Sequence, residues 1–149
     1  MTEAPGPGSR LTLDNLGFLL AKASQRWNEL LHQELVAAGF PEVRPAYGSL
    51  LIPLYEQDGL RQGELARRSR LSKQTLTTMS RALERDGLIE RRPDPADARA
   101  TQIFLTERAR ELQPTADRIL ADLDDHLTTV AGAADQATLK QALRTLIDL

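Results

Sequence analysis

The sequence contains no cysteine, only six aromatic residues, and no hydrophobic run long enough to span a membrane. Without cysteine, the 149-residue chain has no thiol nucleophile, no disulfide and no Cys-ligated zinc or iron–sulfur site. Its first residues have neither the basic start nor the apolar stretch of a signal peptide. We expect a soluble, cytoplasmic protein of one compact domain, because a chain of this length buries roughly 70% of its unfolded surface without a metal or disulfide.

The usual sequence signs of an enzyme or a metal site are also missing. There is no glycine-rich phosphate loop, no cluster of metal ligands, and no pair of carboxylates in a context typical of a pocket. His32 and His126 lie far apart in the sequence, and no third ligand accompanies them. We therefore predict no catalytic activity, no cofactor and no bound metal.

The net charge is small, but it is unevenly distributed. The formal total is −2, made up of −3 over residues 1–60, +4 over residues 61–100 and −3 over residues 101–149. From Arg67 to Arg81 there are five cations and no acid. DNA phosphates respond to local potential, so this basic centre favours DNA binding even in an acidic protein. A solvated surface with many ion pairs would give the same number of charged residues. The pattern of helices and strands must therefore decide between the two interpretations.

The central residues, 45–105, begin with a predicted helical stretch over 45–57, which Pro53 is expected to end or kink. A short helix over 62–69 and a tight connection come next. The following helix is capped by Ser72, runs to about Asp86 and stops at Gly87. Leu76, Met79 and Leu83 form its inward stripe, which leaves a polar opposite face.

Two short strands, 88–92 and 100–105, are predicted after these helices. Residues 93–99 between them are rich in turn formers and are expected to form a loop with an extended basic tip. A helix-turn-helix followed by a β-hairpin is the order of a winged helix. The predicted fold is therefore mainly α with a small β-hairpin wing.

Long amphipathic helices are predicted on either side of this centre. Residues 1–10 are predicted to be disordered, a first helix runs from Leu11 to about Ala38, and two further helices lie within 106–149. A lone winged helix cannot cover their apolar stripes, so segments 11–44 and 106–149 are interpreted as dimerisation helices. The alternative is a monomer whose end helices fold back on the winged helix.

The central pattern resembles the MarR family of transcriptional regulators. The resemblance is carried by residues 64–66, 71–76, 83–99 and 105–106, which read ELA, LSKQTL, LERDGLIERRPDPADAR and LT. It implies a homodimer that binds double-stranded DNA, regulates nearby genes and responds to small, often aromatic, ligands. Arg61 stands where the family usually has a Thr or Ser that caps the third helix. Without cysteine, the chain cannot belong to the thiol-sensing branch.

Residue roles follow from side-chain chemistry in this context. Gln74, Thr77, Thr78 and Arg81 are predicted to contact base edges, with the hydroxyls and Arg81 also able to reach phosphate. Ser72 and Lys73 are predicted to bind phosphate at the start of the helix, and Arg91 to flank the DNA backbone. Arg99 is the candidate for the minor groove. The family pattern implies that Asp97 holds the wing through a nearby Arg, and Arg92 is expected to form a structural ion pair.

A ligand site is harder to place from the sequence. The resemblance implies a pocket where the first, second and fifth helices meet the winged helix, and Trp27, Arg44 and Tyr47 are the candidate lining residues. Aromatic residues at helical spacing are also typical of a core. The leading hypothesis is a repressor that binds a palindromic operator as a homodimer and is released by a small aromatic ligand. The alternatives are a ligand-independent repressor and a protein-interaction module.

Overall fold

A computed structural model describes residues 3–149 as a mainly α-helical chain with a three-stranded antiparallel sheet. The elements, in chain order, are α1 (Leu16–Ala37), a short 3-10 helix (Pro45–Tyr47), α2 (Gly48–Glu56), β1 (Leu60–Arg61), α3 (Gln62–Ser69), α4 (Lys73–Arg85), β2 (Ile89–Asp94), β3 (Asp97–Leu105), α5 (Glu107–Ala131) and α6 (Ala133–Ile147). This arrangement confirms the predicted fold class. Within the described residues, no helix is long and apolar enough to cross a membrane.

The first helix starts later than the sequence pattern predicts. Asn15 caps it, and the Asn15 side-chain oxygen accepts a hydrogen bond from the backbone N–H of Phe18 (3.2 Å). The apolar spacing of Leu11 and Leu13 continues the helical pattern, but the asparagine fixes the actual start because it satisfies a free N–H group. Of the segment predicted to be disordered, residues 1–2 lie outside the described part of the chain.

Helix α2 continues past Pro53 to Glu56, so the prediction that this proline ends the helix is wrong. Proline removes one hydrogen bond from the helix, but its fixed φ is compatible with helical backbone. The neighbouring Leu50, Leu51 and Leu54 are buried in the core. Their packing holds the helix together across the missing bond.

The turn between α3 and α4 and the end of α4 follow recognised capping chemistry. Arg70 adopts a left-handed conformation with φ of 53°, and Ser72 then caps α4 by accepting a hydrogen bond from Thr75 N (3.1 Å). At the other end, Gly87 has φ of 78° and Leu88 N donates to Leu83 O (2.9 Å). This is a Schellman motif, and it confirms the predicted start and stop of α4.

The sheet has the strand order β1-β3-β2. The β2–β3 hairpin, called the wing below, is more compact than predicted, because Asp94 pairs with Asp97 and only Pro95 and Ala96 lie between the strands. The expected extended loop at the tip is therefore wrong. Asp94 Oδ1 accepts a hydrogen bond from Ala96 N (2.8 Å), which closes the turn tightly. Strand β1, which was not predicted, pairs with the far edge of β3.

The core is formed by the central residues and the first half of α5, together with Leu35, Phe40 and Val43 from the end of α1 and the loop after it. Fully buried leucines from α2, α3 and α4 meet apolar residues of the sheet and of α5; they include Leu50, Leu54, Leu65, Leu76, Leu83, Leu88, Ile103, Leu112 and Ile119. Helix α6 contributes no buried residue. The end helices therefore leave much of their apolar surface open.

Candidate DNA-binding interface

Helix α4 presents a polar face to solvent because its apolar face is taken up by the core. Leu76, Ser80 and Leu83 are buried, whereas Lys73, Gln74, Thr78 and Arg81 are exposed. Within residues 3–149, those four exposed side chains have no hydrogen-bond or ion-pair partner. The helix thus offers amide, hydroxyl and guanidinium groups that remain free to contact an external ligand.

Thr77 differs from its neighbour Thr78. Its hydroxyl donates to Lys73 O (2.8 Å) and accepts from the Gln62 side-chain amide (3.2 Å). The Thr77 side chain is half-buried, and it joins α3 to α4. The predicted hydroxyl contact of Thr77 with DNA would have to compete with these bonds, so its methyl group is the part left for such a contact.

The wing carries an exposed arginine near its tip. The Arg99 backbone N–H donates to Asp97 Oδ1 (3.0 Å), and its guanidinium has no partner in the described part of the chain. The ion pair predicted for Asp97 is instead made by Asp94, which is buried and accepts from Arg61 Nε (2.5 Å). The prediction chose the wrong aspartate because the tight turn directs Asp94 toward β1 and leaves Asp97 in solvent.

The two arginines at the start of the wing are both held by the protein. Arg91 pairs with Glu84 of α4 (2.9 Å) and is half-buried. Arg92 pairs with Glu90, and its guanidinium lies 4.3 Å from the centre of the Phe104 ring. The structural pairing expected of Arg92 is present, and Arg91 has an equivalent one. A DNA contact by Arg91 would therefore use a guanidinium that already has an acidic partner.

A chain of polar contacts connects the recognition helix α4 to the loop after α1. The Tyr47 hydroxyl donates to Asp86 Oδ2, and Asp86 also accepts from Arg85. The contacts with Arg85 and Tyr47 hold the pKa of Asp86 below its usual value. Burial, together with the neighbouring Asp86, raises the pKa of Tyr47. The end of α4 is thereby fixed to a buried residue of the 3-10 helix.

A second contact fixes the same loop to α5. Arg108 Nε donates to Glu42 Oε1 (2.6 Å), and its Nη2 donates to Gly39 O (2.6 Å). The guanidinium also lies 4.0 Å from the centre of the Phe40 ring. The hydrogen bond from Arg108 holds the pKa of Glu42 below its usual value. The loop over 39–47 is thus linked to both the recognition helix and α5.

Of the three predicted ligand residues, Tyr47 is the one that lines a cleft described here for residues 3–149. Tyr47 is buried and lines a cleft of about 380 Å³ with residues of α4, among them Gln74, Thr78 and Met79. Neither Trp27 nor Arg44 lines this cleft. A different cleft of about 510 Å³ lies between α2 and α5. It is lined by Ile52, Tyr55, Glu56, Gln113, Pro114, Ala116, Asp117 and Leu120.

Two residues at the start of α3 were missed as parts of the interface. Gln62 holds Thr77, and Arg61 reaches across to the wing through Asp94. Arg61 occupies the N-cap position but makes no side-chain cap, and no other side chain within the described residues replaces it. The sequence did carry a signal for Arg61, because an arginine is unusual at a position where a Thr or Ser would cap the helix. Gln62 has no comparable signal, because its partner is 15 residues away.

Comparisons with known proteins agree with this geometry. The MarR family model matches residues 45–101. The exopolysaccharide II synthesis transcriptional activator ExpG of Rhizobium meliloti (strain 1021) is 27% identical over 144 residues, which are 97% of this chain and 73% of ExpG.

Among solved structures, the transcriptional repressor CouR bound to a 23-mer DNA duplex is 27% identical, with a TM-score of 0.77, and the match covers 93% of this chain and 99% of CouR. The PcaV regulator of Streptomyces coelicolor, solved with its natural ligand, has the same fold at 22% identity (TM-score 0.77), over 93% of this chain and 96% of PcaV. The winged-helix region of this chain, residues 45–101, thus matches the MarR family, and the relatives compared with it are DNA-binding transcriptional regulators rather than enzymes.

Proposed function

We propose that this regulator is a repressor that binds a palindromic operator as a homodimer in the cytoplasm and is released by a small aromatic ligand. One observation carries the proposal. Gln74, Thr78 and Arg81 on one face of α4, and Arg99 on the wing, have side chains without a partner among residues 3–149. Amide and guanidinium groups read base edges in the major groove. An arginine on a wing suits the narrow minor groove.

The end helices supply the surface for a second copy of the chain. Large apolar side chains are exposed on α1, at the end of α5, on α6, and in the short segments before α1 and after α6; they are Leu11, Leu13, Leu16, Phe18, Leu19, Val36, Val130, Leu139, Leu146, Ile147 and Leu149. An exposed apolar surface of this extent is typical of an interface. Arg70 donates to Asp148 Oδ1 (2.6 Å), which joins the end of α6 to the turn before the recognition helix. A dimer built on these helices would therefore set the spacing of its two recognition helices.

A two-fold dimer of this kind reads a two-fold site. Its recognition helices would enter successive major grooves about 34 Å apart, so the operator is expected to be a near-palindrome. Because Lys73, Arg81 and Arg99 would be duplicated, binding should weaken steeply with salt. The names of the two relatives differ in the direction of regulation, since ExpG is called an activator and CouR a repressor. Repression by this chain is therefore part of the proposal.

The cleft between α2 and α5 is the proposed ligand site. Ile52, Pro114 and Leu120 give it apolar walls, while Glu56 and Asp117 add two carboxylates. Apolar walls favour an aromatic ring, and the carboxylates disfavour an anionic ligand. A neutral phenol fits these walls better than a benzoate. The ligand contacts predicted for Trp27, Arg44 and Tyr47 stay predictions.

The proposal is tested with a DNA site selected from a random-sequence pool. Sedimentation should give twice the 16.5-kDa chain mass, and the selected sites should be near-palindromes. Neutral phenols should raise the melting temperature of the free protein. A phenol should weaken DNA binding by the same factor by which DNA weakens binding of the phenol. Ala116→Leu, which fills the cleft, should abolish the phenol effect and leave DNA binding unchanged. A monomer, or a chain that selects no DNA site, would contradict the proposal.

A further inference from the structure

A further cleft lies between the starts of α3 and α4 and the wing. Its volume is about 540 Å³. Its walls contain three cations, Arg61, Lys73 and Arg99, and one acid, Glu64. The cleft separates the exposed face of α4 from the arginine on the wing. A DNA strand contacted by both elements would pass over it.

The negative charge of Glu64, the acid in this cleft, is balanced by two arginines. Glu64 Oε1 accepts from Arg67 Nη2 (2.5 Å) and from Arg68 Nε (2.9 Å), and these bonds hold the pKa of Glu64 at about 2. The carboxylate is therefore charged and doubly paired at neutral pH. The charges of the other three side chains dominate the potential of the cleft, which attracts anions.

Arg61 is held at this cleft by one of its nitrogens. Its Nε donates to the buried Asp94, whereas its two terminal nitrogens have no partner among the described residues. About half of the Arg61 side chain is exposed (53%), against 5% for Asp94. The aspartate is itself fixed by Ala96 N. The guanidinium is thus oriented by the wing while its terminal N–H groups remain available.

We propose that Arg61, together with Lys73, binds a phosphodiester of the DNA backbone in this cleft, while Asp94 holds the Arg61 guanidinium in position. Guanidinium groups recognise phosphate oxygens through paired N–H donors. Arg61 therefore both connects α3 to the wing and clamps the strand that runs between the recognition helix and Arg99. This inference rests on the proposed DNA-binding function and adds a phosphate contact to it.

The test compares Arg61→Gln with Asp94→Asn on one selected DNA duplex, with affinity measured at several salt concentrations. Each phosphate contact contributes about 0.9 to the slope of log affinity against log salt. If Arg61 binds phosphate in both subunits, Arg61→Gln should lower the slope by about 2. Asp94→Asn keeps the cation, so its slope should match the wild type even if affinity falls. Arg67→Gln, which alters a neighbouring cation paired with Glu64, is the matched control and should leave the slope unchanged.

The proposal is overturned if Arg61→Gln keeps the wild-type slope. Equal losses of affinity in Arg61→Gln and Asp94→Asn, both with unchanged slopes, would also overturn it, because Arg61 would then only position the wing. Arg61→Lys guards against a folding defect, since it retains the charge and should retain the slope. A wild-type chain that binds no DNA at any salt concentration contradicts the proposed function itself, which is a different result.

Discussion

Tyr47 and Asp86 are 39 positions apart in the sequence, and the Tyr47 hydroxyl donates a hydrogen bond to Asp86 Oδ2. Asp86 is the residue that ends the recognition helix, and Tyr47 belongs to the short 3-10 helix before α2. The bond therefore fixes the orientation of α4 relative to the rest of the winged helix. A substitution at Tyr47 should therefore change the DNA affinity of α4.

Replacing Tyr47 by Phe tests this link. The ring packing is kept, but a hydrogen bond to a carboxylate is lost, so the free energy of unfolding should fall by about 1.5–3 kcal/mol. DNA affinity should also fall, because α4 loses a contact that orients it. Urea unfolding and DNA titration measure the two effects. Unchanged values in both would show that the bond does not orient the helix.

The adjacent threonines Thr77 and Thr78 give a matched pair of variants, because Thr77 makes contacts within the protein and Thr78 is exposed. Thr77→Val removes the hydroxyl that joins Gln62 to Lys73 O, so it should cost about 0.5–1.5 kcal/mol of stability. Thr78→Val removes an exposed hydroxyl without a partner in the described residues, so stability should be kept and DNA affinity changed. Thermal unfolding and DNA titration of both variants separate the two roles. The reverse pattern would refute this division.

Acid should weaken the fold through Glu42 and Asp86, whose pKa values lie below the ordinary ones. Their stabilising contribution is complete above the unfolded-state pKa values, about 4, and is lost as the pH falls through the lowered folded-state values. Urea unfolding between pH 7 and pH 3 should show this loss. Arg108→Gln removes the main cause of the Glu42 shift, so its stability should fall less between pH 4.5 and 3. An identical pH profile in the variant would contradict this assignment.

Gly59 is required for steric reasons. Its φ is +70°, and an added Cβ would lie 2.7 Å from Phe104 Cε1. Gly59→Ala should therefore destabilise the fold by at least about 1–2 kcal/mol, the usual cost of a left-handed conformation. Gly63→Ala is the control, since its Cβ meets nothing within 4 Å. That variant should be neutral or gain up to about 1 kcal/mol from helix propensity, and equal losses in both would contradict the prediction.

Much of the fold could be predicted because local signals coincide with elements. Ser72 and Gly87 mark the ends of α4 by capping chemistry, and the periodic leucines indicate which face is buried. What could not be predicted depends on residues distant in sequence. Strand β1 exists only because it pairs with β3, and the Arg61–Asp94 bond spans 33 positions. The wrong choice of Asp97 has the same origin.

The most direct test of the proposed DNA-binding face is the double variant Arg81→Ala plus Arg99→Ala on the selected duplex. Each arginine contact to a base contributes about 1–3 kcal/mol, so affinity should fall at least tenfold with little change in melting temperature. Arg118→Ala, on the exposed surface of α5, is the control and should bind as the wild type does. Wild-type affinity in the double variant would contradict the assignment of α4 and the wing as the surface that reads DNA.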